Sequence, residues 1–303
     1  MMNLDRCNML SGLTHLHGHG YKLAILPEHG GLLASLSYDN AEILRPLPPR
    51  CFDPLLSASF PLVPFANRIA GGRFSWMGSR VKLPANFSGE TSAIHGFGWQ
   101  SRWVLEELRQ NHCILSHEWQ GLGPQTWPEE IAGWPWAYRA EQHISLGEEG
   151  CSVTLILANR SETVMPAGLG LHPYFRRRPE SRLTFGASHV CETGPQCLPN
   201  GKLAPVSQFG DFASGTELPD VSIDHCFTNW GGVVMIQDDL GTIKLSATGA
   251  RHLHLFAPVD AQALCLEPVS HKPDALNQNP ADVPSLQPGE KASLKIRICA
   301  QTS

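Results

Sequence analysis

Short strand-like runs recur along the whole chain, mostly 8–12 residues apart, with Gly, Pro, Asn or Asp between them. That rhythm constrains the fold more than any other feature, because short extended segments separated by turn residues close into a sandwich or a barrel. Tyr21–Leu26 ends at Pro27, and a His-Gly-Gly turn at 29–31 leads into Leu32–Tyr38. Further runs cover 103–108, 113–119, 138–146 and 151–159. A later series covers 233–237, 242–247, 252–256, 263–266 and 293–299. Glu148-Glu149-Gly150 and Asp238-Asp239-Leu240-Gly241 read as hairpin turns. No 12-residue window has clear helical amphipathicity, and proline interrupts most candidates. The expected fold class is all-β.

Composition agrees with that reading. The 303 residues include 28 Gly and 24 Pro, which suits a turn-rich architecture, and 42 % are hydrophobic, enough for a sizeable core. Only 17 % are charged, below the roughly 25 % usual in soluble domains. Two Pro-rich stretches, 44–64 and 195–220, read as long irregular loops, a feature that shapes binding sites in compact domains. No composition shift marks a boundary and no repeat is visible. Residues 1–303 therefore read as one domain, with 1–20 a peripheral N-terminal segment.

Charge and cysteine usage narrow the partners. The formal net charge is −5, so no basic face is implied and nucleic acid is not an expected partner. Nine scattered cysteines contain no Cys-x-x-Cys pair. Cys113, Cys151, Cys265 and Cys299 lie in strand-like runs and read as small core residues, which favours a reducing compartment. Residues 1–20 lack an apolar stretch, and no segment reaches the roughly 18–20 apolar residues of a membrane span. A cytoplasmic protein without membrane attachment is expected, as a monomer or homodimer.

Four polar groups stand in apolar settings. His172 lies between the 164–171 run and Arg176-Arg177-Arg178. The others are Asn67-Arg68, Ile94-His95-Gly96 and Leu266-Glu267-Pro268. One carboxylate, two imidazoles and one guanidinium are the parts of an acid/base site for a neutral polar substrate. Each has a plainer reading. Glu267 can be a solvated glutamate at a strand end, with Pro268 ending the strand. His172 can cap the turn before Pro173. Arg68 can be a structural ion-pair partner, and His95 a core histidine in a glycine-rich loop.

Taken together, these motifs resemble the aldose 1-epimerase (galactose mutarotase-like) family. The resemblance runs from about Leu23 to Ile298. It is carried by Asn67-Arg68-Ile69, Gly71-Gly72-Arg73-Phe74, Ile94-His95-Gly96 and Gly133-Trp134-Pro135. Leu171-His172-Pro173-Tyr174-Phe175, Ile223-Asp224-His225-Cys226-Phe227 and Leu266-Glu267-Pro268 follow in order. The chain departs from the galactose branch of that family, which has Asn-His-x-Tyr-Phe at the second histidine and His-Gly-Gly at the first. The departures keep the acid/base groups and leave the sugar open.

The resemblance implies a large antiparallel β-sandwich and mutarotation, the interconversion of the α and β anomers of a free hexose or related sugar, without cofactor or metal. Glu267 is the implied general base and His172 the general acid. Arg68, His95, Asn67 and Asp224 are the implied sugar-binding residues. Glutamate as base and histidine as acid requires His172 protonated while Glu267 is ionised, and their proximity is expected to favour both charges. Asp224 has a plainer reading too, as a turn aspartate before a strand. Trp127, Trp134 and Trp136 are weaker candidates for an aromatic wall, since aromatic residues are more commonly core.

Other features read as bland. His15-Leu16-His17-Gly18-His19 alternates like a metal tract, yet no carboxylate or cysteine completes a local site. His252 and His254 read as one polar strand face. Arg176-Arg177-Arg178 reads as a solvated loop, with recognition of a phosphate or sulfonate on the sugar as the sharper alternative. Two rival functions remain open: a non-catalytic carbohydrate-binding protein on the same fold, and a metal-dependent β-barrel isomerase.

Overall fold

The computed structural model describes residues 12–49, 53–122, 130–178, 180–239, 241–259 and 262–302. Cys7, Cys51 and Trp127 lie outside these. Among the described residues the fold is all-β, with a twelve-stranded and a nine-stranded sheet as its two large layers. Apart from one short parallel pair, Glu130–Ala132 with Ser79–Lys82, the strands pair antiparallel.

The strand runs read from sequence appear at nearly the same bounds. Tyr138–Gly147 and Gly150–Asn159 form a long hairpin in register from Tyr138↔Asn159 to Gly147↔Gly150. Its alternating buried and half-buried residues fit a sheet with one face in the core. Val233–Asp238 and Gly241–Thr248 form the second expected hairpin, closing at Asp238↔Gly241. One continuous apolar cluster joins the inward side chains of both sheets, such as Leu155 and Leu157 from one and Leu253, Leu255, Leu264 and Leu266 from the other.

Three local expectations change. Residues 14–18 are not a peripheral segment. They form the edge strand of the twelve-stranded sheet, because Leu16 alternates inward against Leu23 and is buried, while His15 and His17 face out. The 195–220 stretch is not all loop, since Pro199–Pro205 pairs with His189–Thr193 as the far edge. Glu267 is not at a strand end. The strand Ala263–Val269 runs through Pro268, and every residue of it is buried.

Pro268 is tolerated for a specific reason. On one side of this strand the neighbouring chain pairs at Tyr174↔Cys265 and again at Gly170↔Val269, and the ladder lapses between. A proline lacks the N–H that a continuous ladder would need there. The lapse is also where Leu171-His172-Pro173 detaches, which sets His172 beside Glu267.

Candidate active site

Alternation along Ala263–Val269 divides its side chains between two faces. Leu264 and Leu266 enter the core between the sheets, whereas Ala263, Cys265 and Glu267 face a cavity of about 330 Å³. Residues of 45–49, 53–68 and 87–99 line this second face. That volume is at the small end of ligand sites and suits a monosaccharide.

Glu267 and His172 form the centre. His172 Nε2 lies 3.2 Å from Glu267 Oε1, and both residues are buried. The His172 ring packs against both Phe60 and Tyr174, its centroid 4.6 Å from each. Glu267 Oε2 and His172 Nδ1 have no hydrogen-bond partner among the described residues. Burial raises the Glu267 carboxyl to about 7, against the opposing pull of the nearby His254 charge. Burial lowers His172 to about 3, and the His254 charge adds to that. Burial therefore disfavours the fully charged pair expected from proximity alone. Below about pH 7 one proton is shared across the 3.2 Å contact and rests on the carboxyl.

His95 presents a fixed donor. It sits in the left-handed region at φ 59°, followed by Gly96 at φ 68°. The Asn86 side chain holds this turn, donating to the Ile94 and Gly96 carbonyls and accepting from the Ile94 N–H. His95 Nδ1 accepts the Asn67 backbone N–H at 3.1 Å. The ring proton must then be on Nε2. Burial, with the His172 and Arg68 charges behind it, keeps His95 neutral.

Asn67 and Arg68 reach the cavity through one tied loop. Asn67 is left-handed at φ 54°, and its Oδ1 accepts the Arg68 N–H at 2.8 Å. Arg68 donates from Nη2 and Nε to Glu90 Oε1, at 2.7 and 3.2 Å. Arg68 is thus an ion-pair partner, its plainer reading, and it also lines the cavity. Asp274 anchors this loop, its backbone N–H donating to the Arg68 carbonyl and its Oδ1 accepting from the Ala70 N–H, both at 2.9 Å.

Asp224 brings a residue that the sequence reading set aside. Its Oδ1 lies 2.7 Å from His254 Nε2, and both line the cavity. His254 pairs directly with Glu267 across the Ala263–Val269 strand and its neighbour His252–Ala257. Burial opposes a charge on His254, but the bonds to Asp224 and Cys226 and the Glu267 carboxylate hold it well above the ordinary histidine value. Asp224 is lowered correspondingly, burial being outweighed by His254 and Arg68. The polar strand face read from His252 and His254 is a buried one. The detectable signal was a charged residue type alternating with leucine on a strand, which sequence alone could not place beside Glu267.

Other candidates lie elsewhere. Trp134 and Trp136 are buried in the main core, so the aromatic wall is Trp99, Tyr174 and Phe256 instead. Arg176 pairs with Glu42 and Arg178 with Asp238, and Arg177 donates to the Pro258 carbonyl. None of the three lines the cavity.

His95, His172 and Glu267 offer ligand atoms all within 4.8 Å of one another, a set that can be read as a metal site. The His95 tautomer argues for proton handling. An Nε2–H is a donor, and it cannot ligate until that proton is lost. The exposed His15 and His17 of the edge strand belong to no such set.

The aldose 1-epimerase family model matches residues 13–299. The uncharacterized protein YphB of Escherichia coli K12 is 27 % identical over 292 residues, covering 92 % of this chain and 96 % of YphB. A crystal structure from Escherichia coli K12, provisionally assigned as an aldose 1-epimerase, superposes with a TM-score of 0.85 at 27 % identity. It covers 96 % of this chain and 99 % of its own. A galactose mutarotase-like protein from Clostridium acetobutylicum shares the fold, with a TM-score of 0.81 at 18 % identity and 95 % coverage of both chains.

Proposed function

This chain belongs to the aldose 1-epimerase family, and on that premise we propose that it is an isomerase that interconverts the α and β anomers of a hexose or related sugar. The observation that carries the reading is the Glu267–His172 contact inside a cavity whose other polar groups are donors or a paired carboxylate.

Mutarotation needs a proton removed from the C1 hydroxyl and another delivered to the ring oxygen. The ring opens, C1 rotates about the C1–C2 bond, and the reverse transfers close it. Glu267 takes the C1 hydroxyl proton and His172 serves the ring oxygen, each such group contributing about 10²–10⁴-fold. The working state has the shared proton on His172 and the charge on Glu267. The His254 cation next to Glu267 favours that anion. The pair begins with its proton on the carboxyl, so one transfer across the existing contact prepares it.

The neutral His95 offers its Nε2–H to the ring oxygen or C1 hydroxyl without competing for the proton. Arg68 and the free oxygen of Asp224 hold neighbouring hydroxyls, with Asn67 setting the loop. Trp99, Tyr174 and Phe256 give the sugar apolar faces. No step requires a metal or an organic cofactor.

Saturation-transfer NMR across a panel of aldoses tests the reading. Faster anomer exchange for at least one sugar, lost in Glu267→Gln, is expected. Binding without any acceleration would instead favour a carbohydrate-binding protein on this fold.

A further inference from the structure

Among the described residues, one cation of the cavity wall has no counter-charge. Arg45 follows the strand Ala41–Leu44, and its backbone N–H donates to the Tyr174 carbonyl at 2.8 Å. Its guanidinium carbon lies 4.0 Å from the centre of the Tyr174 ring. Tyr174 in turn stacks on His172 at 4.6 Å. Tyr174 thus contacts both Arg45 and His172, and all three line the cavity.

Arg45 Nη2 donates to the Leu55 carbonyl at 2.5 Å and the Ser57 carbonyl at 3.0 Å. Nε is buried with no hydrogen-bond partner, and among the described residues no carboxylate pairs with this side chain. Its neighbours differ. Arg68 has Glu90, Arg176 has Glu42, Arg178 has Asp238, and His254 has Asp224. With Glu267 and His172 sharing one proton, that pair is net neutral. One positive charge is then left over, and it is Arg45.

We propose that the sugar taken by this site carries a monoanionic exocyclic group, a carboxylate or a sulfonate, on the ring carbon next to the ring oxygen, and that Arg45 binds it. The proposal rests on the ring-opening reading, which fixes the sugar's orientation. The C1 hydroxyl lies at Glu267 and the ring oxygen at His172. The exocyclic substituent is borne on the other side of the ring oxygen from C1, so it points along the stack past Tyr174 towards Arg45. On the cavity floor, Glu267 and Cys265 are two residues apart, about 7 Å along an extended strand, and Cys265 is the register partner of Tyr174. One ring with its exocyclic group spans a step of that size.

The charge count selects the class of anion. A single guanidinium is neutralised by a carboxylate or sulfonate. A phosphate monoester carries about −1.5 to −2 near neutral pH and would leave excess negative charge close to Glu267. Arg176 to Arg178, which read as a solvated loop with anion recognition as the alternative, are engaged outside the cavity.

Titration calorimetry near pH 6.5 tests this with D-glucuronate, D-galacturonate, 6-deoxy-6-sulfo-D-glucose, glucose 6-phosphate and the neutral parent hexoses. A monoanion is expected to bind about 10- to 100-fold tighter than its neutral parent, as a charge-assisted contact does. Arg45→Gln should shrink that preference to about 3-fold or less, with Arg45→Lys between the two. Since Arg45 also ties the 55–57 loop, the wild-type ranking decides the matter if the glutamine variant does not fold. Whether the carboxylate or the sulfonate binds tighter identifies the anion. Neutral parents binding as tightly as monoanions, or a preference that survives in Arg45→Gln, would overturn the proposal, as would glucose 6-phosphate binding tightest. Anomer exchange measured in parallel separates the two ideas. Exchange of neutral sugars without monoanion preference removes the Arg45 role and leaves mutarotation standing. Monoanion binding without exchange of any sugar does the reverse.

Discussion

Glu267→Gln should make the protein less active and, at alkaline pH, more stable. The activity loss follows from removing one of two proton-transfer groups, expected at about 10²–10⁴-fold in kcat. The stability gain follows from burial. The folded carboxyl is raised from its ordinary 4.5 to about 7, and each unit corresponds to about 1.36 kcal/mol. Ionised Glu267 thus costs the fold about 3 kcal/mol. For an acid raised in the folded state, stability is fully present below the unfolded value and is lost as pH rises through the folded one. The cost is absent near pH 4, grows between 4.5 and 7, and is complete above 7. Glutamine has nearly the same shape and no such cost. Urea denaturation of both proteins at pH 4.5 and pH 9 should therefore give nearly equal stabilities at the lower pH, and a variant about 3 kcal/mol more stable at the higher. This opposition separates a functional carboxylate from a structural one. A variant less stable than wild type at pH 9, or one within tenfold of wild-type exchange, would refute the reasoning.

The shared proton also predicts a pH profile. The Glu267–His172 pair loses it as pH rises through about 7, so kcat/KM should fall above that point, and a rate that climbs steadily from pH 7 to 9 would contradict the assignment. Arg176→Ala should keep exchange within about twofold and cost about 1 kcal/mol or less, since its pair with Glu42 is partly exposed and outside the cavity. Gly96→Ala should destabilise by more than about 2 kcal/mol in a melt, because φ is +68° and the new Cβ would sit 2.0 Å from the Val63 carbonyl oxygen. Asp224→Asn should return His254 towards neutrality and raise KM more than it lowers kcat, checked by the imidazole resonance of His254 and by exchange kinetics. An unmoved His254 resonance would break the link between the two residues.

What the sequence determined by itself was the strand inventory. A period of two in a run such as 138–146, with Glu148-Glu149-Gly150 behind it, leaves little freedom, because alternation fixes which face is buried and the turn fixes the hairpin. Its motifs also pointed to Glu267, His172, His95, Asn67, Arg68 and Asp224, all of which the tertiary structure brings to one cavity. Local pattern could not go further, for physical reasons. Pro268 looks like a strand terminator until the neighbouring ladder is seen to lapse beside it. His254 looks like surface until register sets it opposite Glu267, 13 residues away in the chain, and Asp224 supplies its charge. Arg45 carries no local signal at all, whereas Arg176-Arg177-Arg178 carries a conspicuous one. Whether a cation is free depends on which carboxylates fold against it, and that is decided only when distant strands pair.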